Sequence, residues 1–383
     1  MRYEIGASRN RLTNQVNMDK CLGVSVLDIV EMRVGEPAGS AIARTVELAR
    51  NVEQWGYKRY WLGEHHSIAG LAGSATQVLV GHVASATKRI RVGAGGVMLP
   101  NHAPLVVAEQ FGTLDALYPG RIDLGVGRAP GGDPNAMKAL GRILVKGGDL
   151  SSRFDTFSEL LEELRGYLEA EKPGQAVRAI PGQGSNVPIT VLGSSVFSAQ
   201  LAGRLGLPYA FAAHFAPEHR IAAAEAYHQH FRPNETQTKP YLMMAVPVIA
   251  AATDGAAMRL FTTLQQRSLR LIRNEPVWLL PPVDSMQPLW SASEQVAVEN
   301  RLTAAIVGSD WTVKAGLERL VRQTGADEVL VVTDAYVQAD RLESHRRVAE
   351  IAAGIKIESV NRGDEAEWAK TAKTSAPLLR RVV

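Results

Sequence analysis

Cys21 is the only cysteine in the chain, which excludes an internal disulfide framework and a zinc centre built on several thiolates. A reducing compartment, the cytoplasm, is the expected home. No run of about eighteen consecutive apolar residues occurs, and the first twenty positions carry Arg2, Arg9, Arg11, Asn10, Asn14 and Asn17 without the apolar stretch of a signal peptide. No membrane span is expected. Charge of one sign is scarce: 42 Lys and Arg stand against 39 Asp and Glu, with no basic stripe dense enough for nucleic acid. Nor does any strand lead into a G-x-G-x-x-G turn followed by an acidic residue about twenty positions on. Gly93-Ala94-Gly95-Gly96 lies inside a strand instead, which counts against the doubly wound dinucleotide-binding sheet.

The 383 residues are 46% apolar, enough for a large core. Buried strand patterns cover Gly23–Asp28, Arg59–Gly63, Ile90–Leu99 and Ile122–Val126, with amphipathic helical patterns between them. The rhythm breaks after Asp133, resumes at Val187–Leu192, Pro208–Ala213 and Tyr241–Ala250, breaks again, and ends at Glu328–Val332. Helices between consecutive strands imply parallel neighbours joined by right-handed crossovers. Eight such units predict one (β/α)8 TIM barrel over residues 21–353, with insertions after strands 4 and 7, a polar extension over 1–20 and a polar tail over 354–383. The first insertion, with a helix containing Phe154, Phe157, Leu160, Leu161 and Leu164, is expected over the barrel mouth. The second, with Leu279-Leu280-Pro281-Pro282-Val283 and Trp290, reads as too proline-rich to be regular and as a mobile flap.

Chemistry concentrates at the carboxyl ends of the strands, where parallel α/β folds carry their sites. Gly193-Ser194-Ser195 opens a helix, so free N–H groups and a helix dipole converge on a point suited to phosphate; the ordinary alternative is that Ser194 is simply the N-cap. Arg128 reaches the same rim, unless it pairs with Asp133. Glu64-His65-His66 ends a strand in two histidines, and only one of two neighbouring residues in an extended strand can face the mouth. A histidine handling a proton beside a bound ligand and a structural histidine are both open; the further metal ligands His102, His214 and Asp28 are too scattered to support a metal. Gly95-Gly96 weakens its strand, which suits either a flat ligand against the backbone or a tight helix approach.

Assembled, Tyr60-Trp61-Leu62-Gly63-Glu64-His65-His66, Gly95 through Pro104, Gly120 through Gly131 and Leu192-Gly193-Ser194-Ser195 resemble the bacterial luciferase-like flavin monooxygenases, and within them the alkanal monooxygenase-like branch. The resemblance runs from about residue 22 to residue 353. It implies a barrel that takes reduced FMN from a separate NAD(P)H-dependent flavin reductase and uses O2, through a C4a-(hydro)peroxyflavin, to oxygenate a small apolar or aromatic molecule. A homodimer is implied too. The resemblance places a non-prolyl cis peptide at Gly95-Gly96 beside the flavin ring, Arg128, Ser194 and Ser195 on the phosphate, and His65 as acid/base. Two positions depart from it. Gly127 replaces the reactive cysteine of luciferases proper, and Phe197 replaces a further phosphate contact, so flavin binding is expected but aldehyde luminescence is not. The same superfamily contains deazaflavin-dependent hydride-transfer enzymes and non-catalytic flavin-binding proteins, which are the alternative readings.

Overall fold

Eight parallel strands close on themselves in a computed structural model that describes residues 20–129, 131–141 and 157–357. They are β1 Gly23–Asp28, β2 Arg59–Leu62, β3 Arg91–Met98, β4 Ile122–Gly127, β5 Ile189–Gly193, β6 Tyr209–Ala212, β7 Leu242–Ala250 and β8 Glu328–Val332. Each pairs with the next, and β8 pairs with both β1 and β7, which closes the (β/α)8 barrel. Continuous burial along β1, β4, β7 and β8 explains why these strands are predominantly apolar: both faces are covered, by neighbours inside and helices outside.

Two layers fill the barrel. Leu27, Trp61, Ala210, Met243, Ala245, Leu330 and Val332 form its apolar interior. Below them, at the strand starts, Arg59 pairs with Glu328 at 2.8 Å and Asp123 at 3.0 Å, and Trp61 Nε1 donates to Asp123 at 3.1 Å. These buried charges are mutually compensated, so the floor is closed by ion pairs and the opening is left at the other end.

The outer layer holds α1 Ala38–Gln54, α2 Thr76–Ala86, α3 Pro104–Leu117, α4 Pro134–Gly141, α5 Phe157–Leu168, α6 Val196–Leu205, α7 Arg220–His230, α8 Asp254–Ile272, α9 Ala292–Arg301, α10 Asp310–Thr324 and α11 Gln338–Ala353. Helix α1 buries Ala41, Thr45, Val46, Leu48, Ala49 and Val52, a stripe at helical spacing. Among the described residues no helix is long and apolar enough to cross a membrane.

The insertions differ from the sequence reading in two respects. Helix α5 does not lie over the mouth: Phe157, Leu161, Leu164 and Leu168 join the main core, and the helix packs beside α3. It is the ordinary crossover helix of the fourth unit, and Phe154 lies outside the described residues. In the second insertion, prolines occupy only the stretch from Pro276 to Pro288, so the proline-free segment before it forms the 19-residue α8. A short strand, Ile306–Gly308, then pairs with the end of β7. The Pro-rich stretch is also no free-standing flap. Val277 N–H donates to the Ala69 carbonyl and Leu279 N–H to the Met32 carbonyl, both at 2.9 Å, which stitches it to the loops after β2 and β1. At the termini, Lys20–Cys21 pairs with Lys356–Ile357, and the remainder of the expected extension and tail lies outside the described residues.

Candidate active site

The carboxyl ends of the strands surround a cavity of about 460 Å³ lined by His65, Gly95, Gly96, Arg128, Ser194 and Ser195. All six sequence-selected positions therefore meet in one place. Its walls also include Leu27, Ile29, Phe211 and Leu330, so the polar groups act from an apolar setting.

One end is built for an anion. Ser195, not Ser194, is the N-cap of α6, accepting from the Ser198 N–H at 3.4 Å. The Ser194 hydroxyl, which lines the cavity, has no hydrogen bond among the described residues. The Ser198 hydroxyl and Tyr209 brace the turn from below, meeting at 3.0 Å while Tyr209 donates to the Ser195 carbonyl at 3.2 Å. The first N–H groups of α6 lack intrahelical acceptors by geometry and point the same way. Arg128 is exposed, with its guanidinium 5.0 Å from the centre of the Phe197 ring. The alternative ion pair with Asp133 does not form: Asp133 accepts from the Ala136 N–H at 2.7 Å and caps α4 instead. Phe197 thus supplies a platform for Arg128.

The middle of the cavity offers flat backbone. The Gly95–Gly96 peptide bond is cis. A side chain at Gly95 would place its first carbon 2.9 Å from Leu27 and Trp61, and one at Gly96 would sit 2.7 Å from the Gly125 carbonyl oxygen. Only glycine fits either position. At Gly127 the nearest contact for such a carbon is Met98 Sδ at 3.4 Å. A cysteine would fit there, so its absence is a chemical difference and not a steric one.

The histidine pair, in the loop just beyond β2, splits between the cavity and the Glu64 carboxylate. His65 lines the cavity, and its Nδ1 is buried without a hydrogen-bond partner. Burial, aided by the nearby charges of Arg267 and His214, lowers its pKa to about 4, so it is a neutral imidazole near pH 7. His66 turns away and donates to Glu64 at 2.7 Å, and His102 donates to the same oxygen at 2.8 Å. The other Glu64 oxygen accepts from the Met98 N–H at 3.2 Å. Despite burial, these hydrogen bonds hold the Glu64 pKa down at about 2. The three side chains bring ligand atoms within 4.8 Å of one another, but two imidazole nitrogens at hydrogen-bond distance from one carboxylate oxygen form a clasp that ties β2 to β3. Gly131, in the left-handed region at φ 68°, accepts from the His66 N–H at 2.8 Å and extends the clasp to the loop after β4.

Two further groups act on His65: His214, weighed from the sequence only as a scattered metal ligand, and Arg267, which the sequence did not single out. His214 lines the cavity from the loop after β6, with Nδ1 3.4 Å from the Ala245 carbonyl, and burial lowers its pKa to about 4. Arg267 on α8 pairs with Asp334 and, at 3.4 Å, with Glu31. His214 ends a strand as His65 does, which was a usable signal. Arg267 sits in the middle of a helical pattern, and nothing in the sequence distinguishes it from a solvated arginine. Of the scattered metal candidates, Asp28 faces the outer layer, where Thr45 donates to it at 2.8 Å and Arg341 at 3.1 Å.

Comparison with known proteins agrees with this geometry. The family model for luciferase-like monooxygenases matches residues 23–328. The luciferase-like monooxygenase of Escherichia coli (strain K12) is 44% identical over 340 residues, covering 89% of this chain and 98% of that protein. N-acetyl-S-alkylcysteine monooxygenase of Bacillus subtilis (strain 168) is 30% identical over 339 residues, covering 87% and 99%. Among solved structures, apo-MsnO8 superposes with a TM-score of 0.80 at 33% identity, covering 88% of this chain and 100% of that one. With its closed barrel and its strand-end motifs in family order, the chain belongs to the luciferase-like monooxygenases.

Proposed function

We propose that this monooxygenase takes reduced FMN from a separate NAD(P)H-dependent flavin reductase and uses O2 to oxygenate a small apolar or aromatic molecule. The observation that carries this reading is the convergence of an anion-ready turn, a side-chain-free backbone face and a neutral histidine on one cavity. The residues fit the cofactor: among the described residues the Ser194 hydroxyl has no hydrogen-bond partner and Arg128 no carboxylate partner, and both line the cavity together with the Gly95-Gly96 backbone. Reduced FMN, when bound, supplies the two electrons that let one oxygen atom enter the substrate and the other leave as water. The chain's own tasks follow from its residues. Arg128, Ser194 and the start of α6 hold the phosphate. The apolar walls exclude water from the reacting atoms. His65 Nε2, on a neutral ring, takes or returns the proton that the oxygen chemistry requires.

The relative named N-acetyl-S-alkylcysteine monooxygenase supports a small organic substrate. We assign the chain to the cytoplasm on its lone thiol, Cys21. We also infer a homodimer joined through α2 and α3, because Val78 is 71%, Val106 44% and Leu117 63% exposed on those two adjacent helices.

Anaerobic titration with reduced FMN and, separately, with a reduced deazaflavin tests the cofactor. Tight FMN binding, followed on admission of O2 by reoxidation slower than that of free reduced FMN, is the expected result. Preference for the deazaflavin, or reoxidation at the free rate, overturns it.

A further inference from the structure

Arg128 has a counterpart beside another phenyl ring. The guanidinium of Arg301, the last residue of α9, lies 5.5 Å from the centre of the Phe215 ring. Phe215 lines the cavity beside His214 and is 61% exposed. Each arginine thus has its guanidinium carbon over a phenyl ring, Arg301 over one that lines the cavity, and among the described residues neither forms a salt bridge. Arg128 belongs to the serine turn. Arg301 comes from the other long insertion and stands with His214.

The electrostatic setting separates Arg301 from its neighbour Arg267. Arg267 pairs with Asp334, whereas Arg301 is half-buried with no carboxylate among the described residues to balance it. Partial burial and the positive field of Arg267 weaken its hold on its proton, and its charge in turn disfavours protonation of His214. A partly buried cation without a carboxylate beside it is favoured by an anion brought from outside the chain. A guanidinium carries its N–H donors in a planar fork, the geometry that grips a carboxylate through two parallel hydrogen bonds. The adjoining walls, Leu27, Ile29, Ile68 and Phe211, are apolar.

We propose that Arg301, seated on Phe215, recognises a carboxylate on the organic substrate, whose apolar body lies in the cavity. The proposal rests on the monooxygenase reading, because it assigns the serine turn to the cofactor phosphate and leaves Arg301 to the substrate.

The test uses FMN-loaded protein titrated calorimetrically with phenylacetate and with its neutral isostere phenylacetamide. The wild type is expected to bind phenylacetate at least tenfold more tightly. Arg301→Met should abolish that preference and Arg301→Lys should retain most of it, with FMN affinity within threefold of wild type in both. The same affinity for the two probes in the wild type, absence of binding by either, or a preference that survives in Arg301→Met would overturn the proposal. So would a loss of FMN affinity in Arg301→Met with the probe preference intact, which would make Arg301 a second phosphate ligand. Should the protein bind no FMN at all, the cofactor reading fails, and the same titrations on flavin-free protein still decide the role of Arg301.

Discussion

Ser194 and Arg128 are available for a ligand because their neighbours take the structural tasks. Ser195 caps α6, Asp133 caps α4, and Phe197 carries the guanidinium. A charge-assisted hydrogen bond contributes about 1.5 to 3 kcal/mol, so Arg128→Met should weaken FMN binding roughly 10- to 150-fold. Ser194→Ala removes one neutral hydroxyl, for which about 1 kcal/mol predicts roughly a fivefold loss. Quenching of flavin fluorescence measures both, and equal affinities for wild type and Arg128→Met would remove the phosphate from this turn. His65 answers to a different measurement. Its Nδ1 has no partner to lose, so His65→Gln should leave FMN affinity nearly unchanged while slowing oxygenation by about 10² or more. A variant that turns over normally would reduce His65 to a wall of the cavity.

At the scale of elements, the site depends on how closely β3 approaches β4. A methyl group at Gly96 would sit 2.7 Å from a backbone oxygen of β4, and backbone in the middle of a closed barrel cannot step aside cheaply. Gly96→Ala should lower stability by about 2 kcal/mol or more, within the overpacking range, and lower FMN affinity with it. Thermal unfolding and flavin titration on the same sample check this; an unchanged midpoint would mean the strands can separate. Much of the fold was legible because β1, β4, β7 and β8 are buried on both faces and are predominantly apolar. His65, Arg128, Ser194 and Ser195 were legible because each stands at or just past a strand end with a residue type that the barrel interior does not need, and Gly95 and Gly96 because glycine is unusual inside a strand. Long-range pairing was not. Nothing in the sequence tells that Glu64 will accept from both His66 and His102, or that Leu279 will bond to Met32, since these partners meet only through tertiary structure. The second insertion misled for a local reason: prolines clustered over Pro276–Pro288 made the whole excursion read as irregular, although Asp254–Ile272 contains none.

For the whole molecule, buried titratable groups set the pH range of stability. His65 and His214 protonate at about pH 4 and His345 at about 3 when folded, against 6.5 for an ordinary histidine. Between those limits the unfolded chain binds more protons, so stability falls as pH drops through the window from 6.5 to 4. Glu31 runs the other way. Burial, with Asp334 and Asp28 nearby, raises its pKa from 4.5 to about 8, so its contribution is lost as pH rises between those values. Three histidines outweigh one carboxyl on the acid side, which places the highest unfolding temperature near pH 6.5, with several kcal/mol lost by pH 4.5. A midpoint that stays constant across that interval would contradict the burial of these imidazoles. Oligomeric state is a second property at this scale. Val78→Asp with Leu117→Asp should convert the homodimer to a monomer in light scattering while FMN binding persists, and a monomeric wild type would overturn the proposed interface. Finally, β8 pairs with both β1 and β7, and Glu328, which compensates Arg59 in the floor, is its first residue. A ribosome must therefore deliver the last strand before the first has both of its neighbours, so a nascent chain stopped before Glu328 has neither a closed wall nor a neutralised floor. Products truncated before Glu328 should therefore lack the cooperative thermal unfolding of the finished chain.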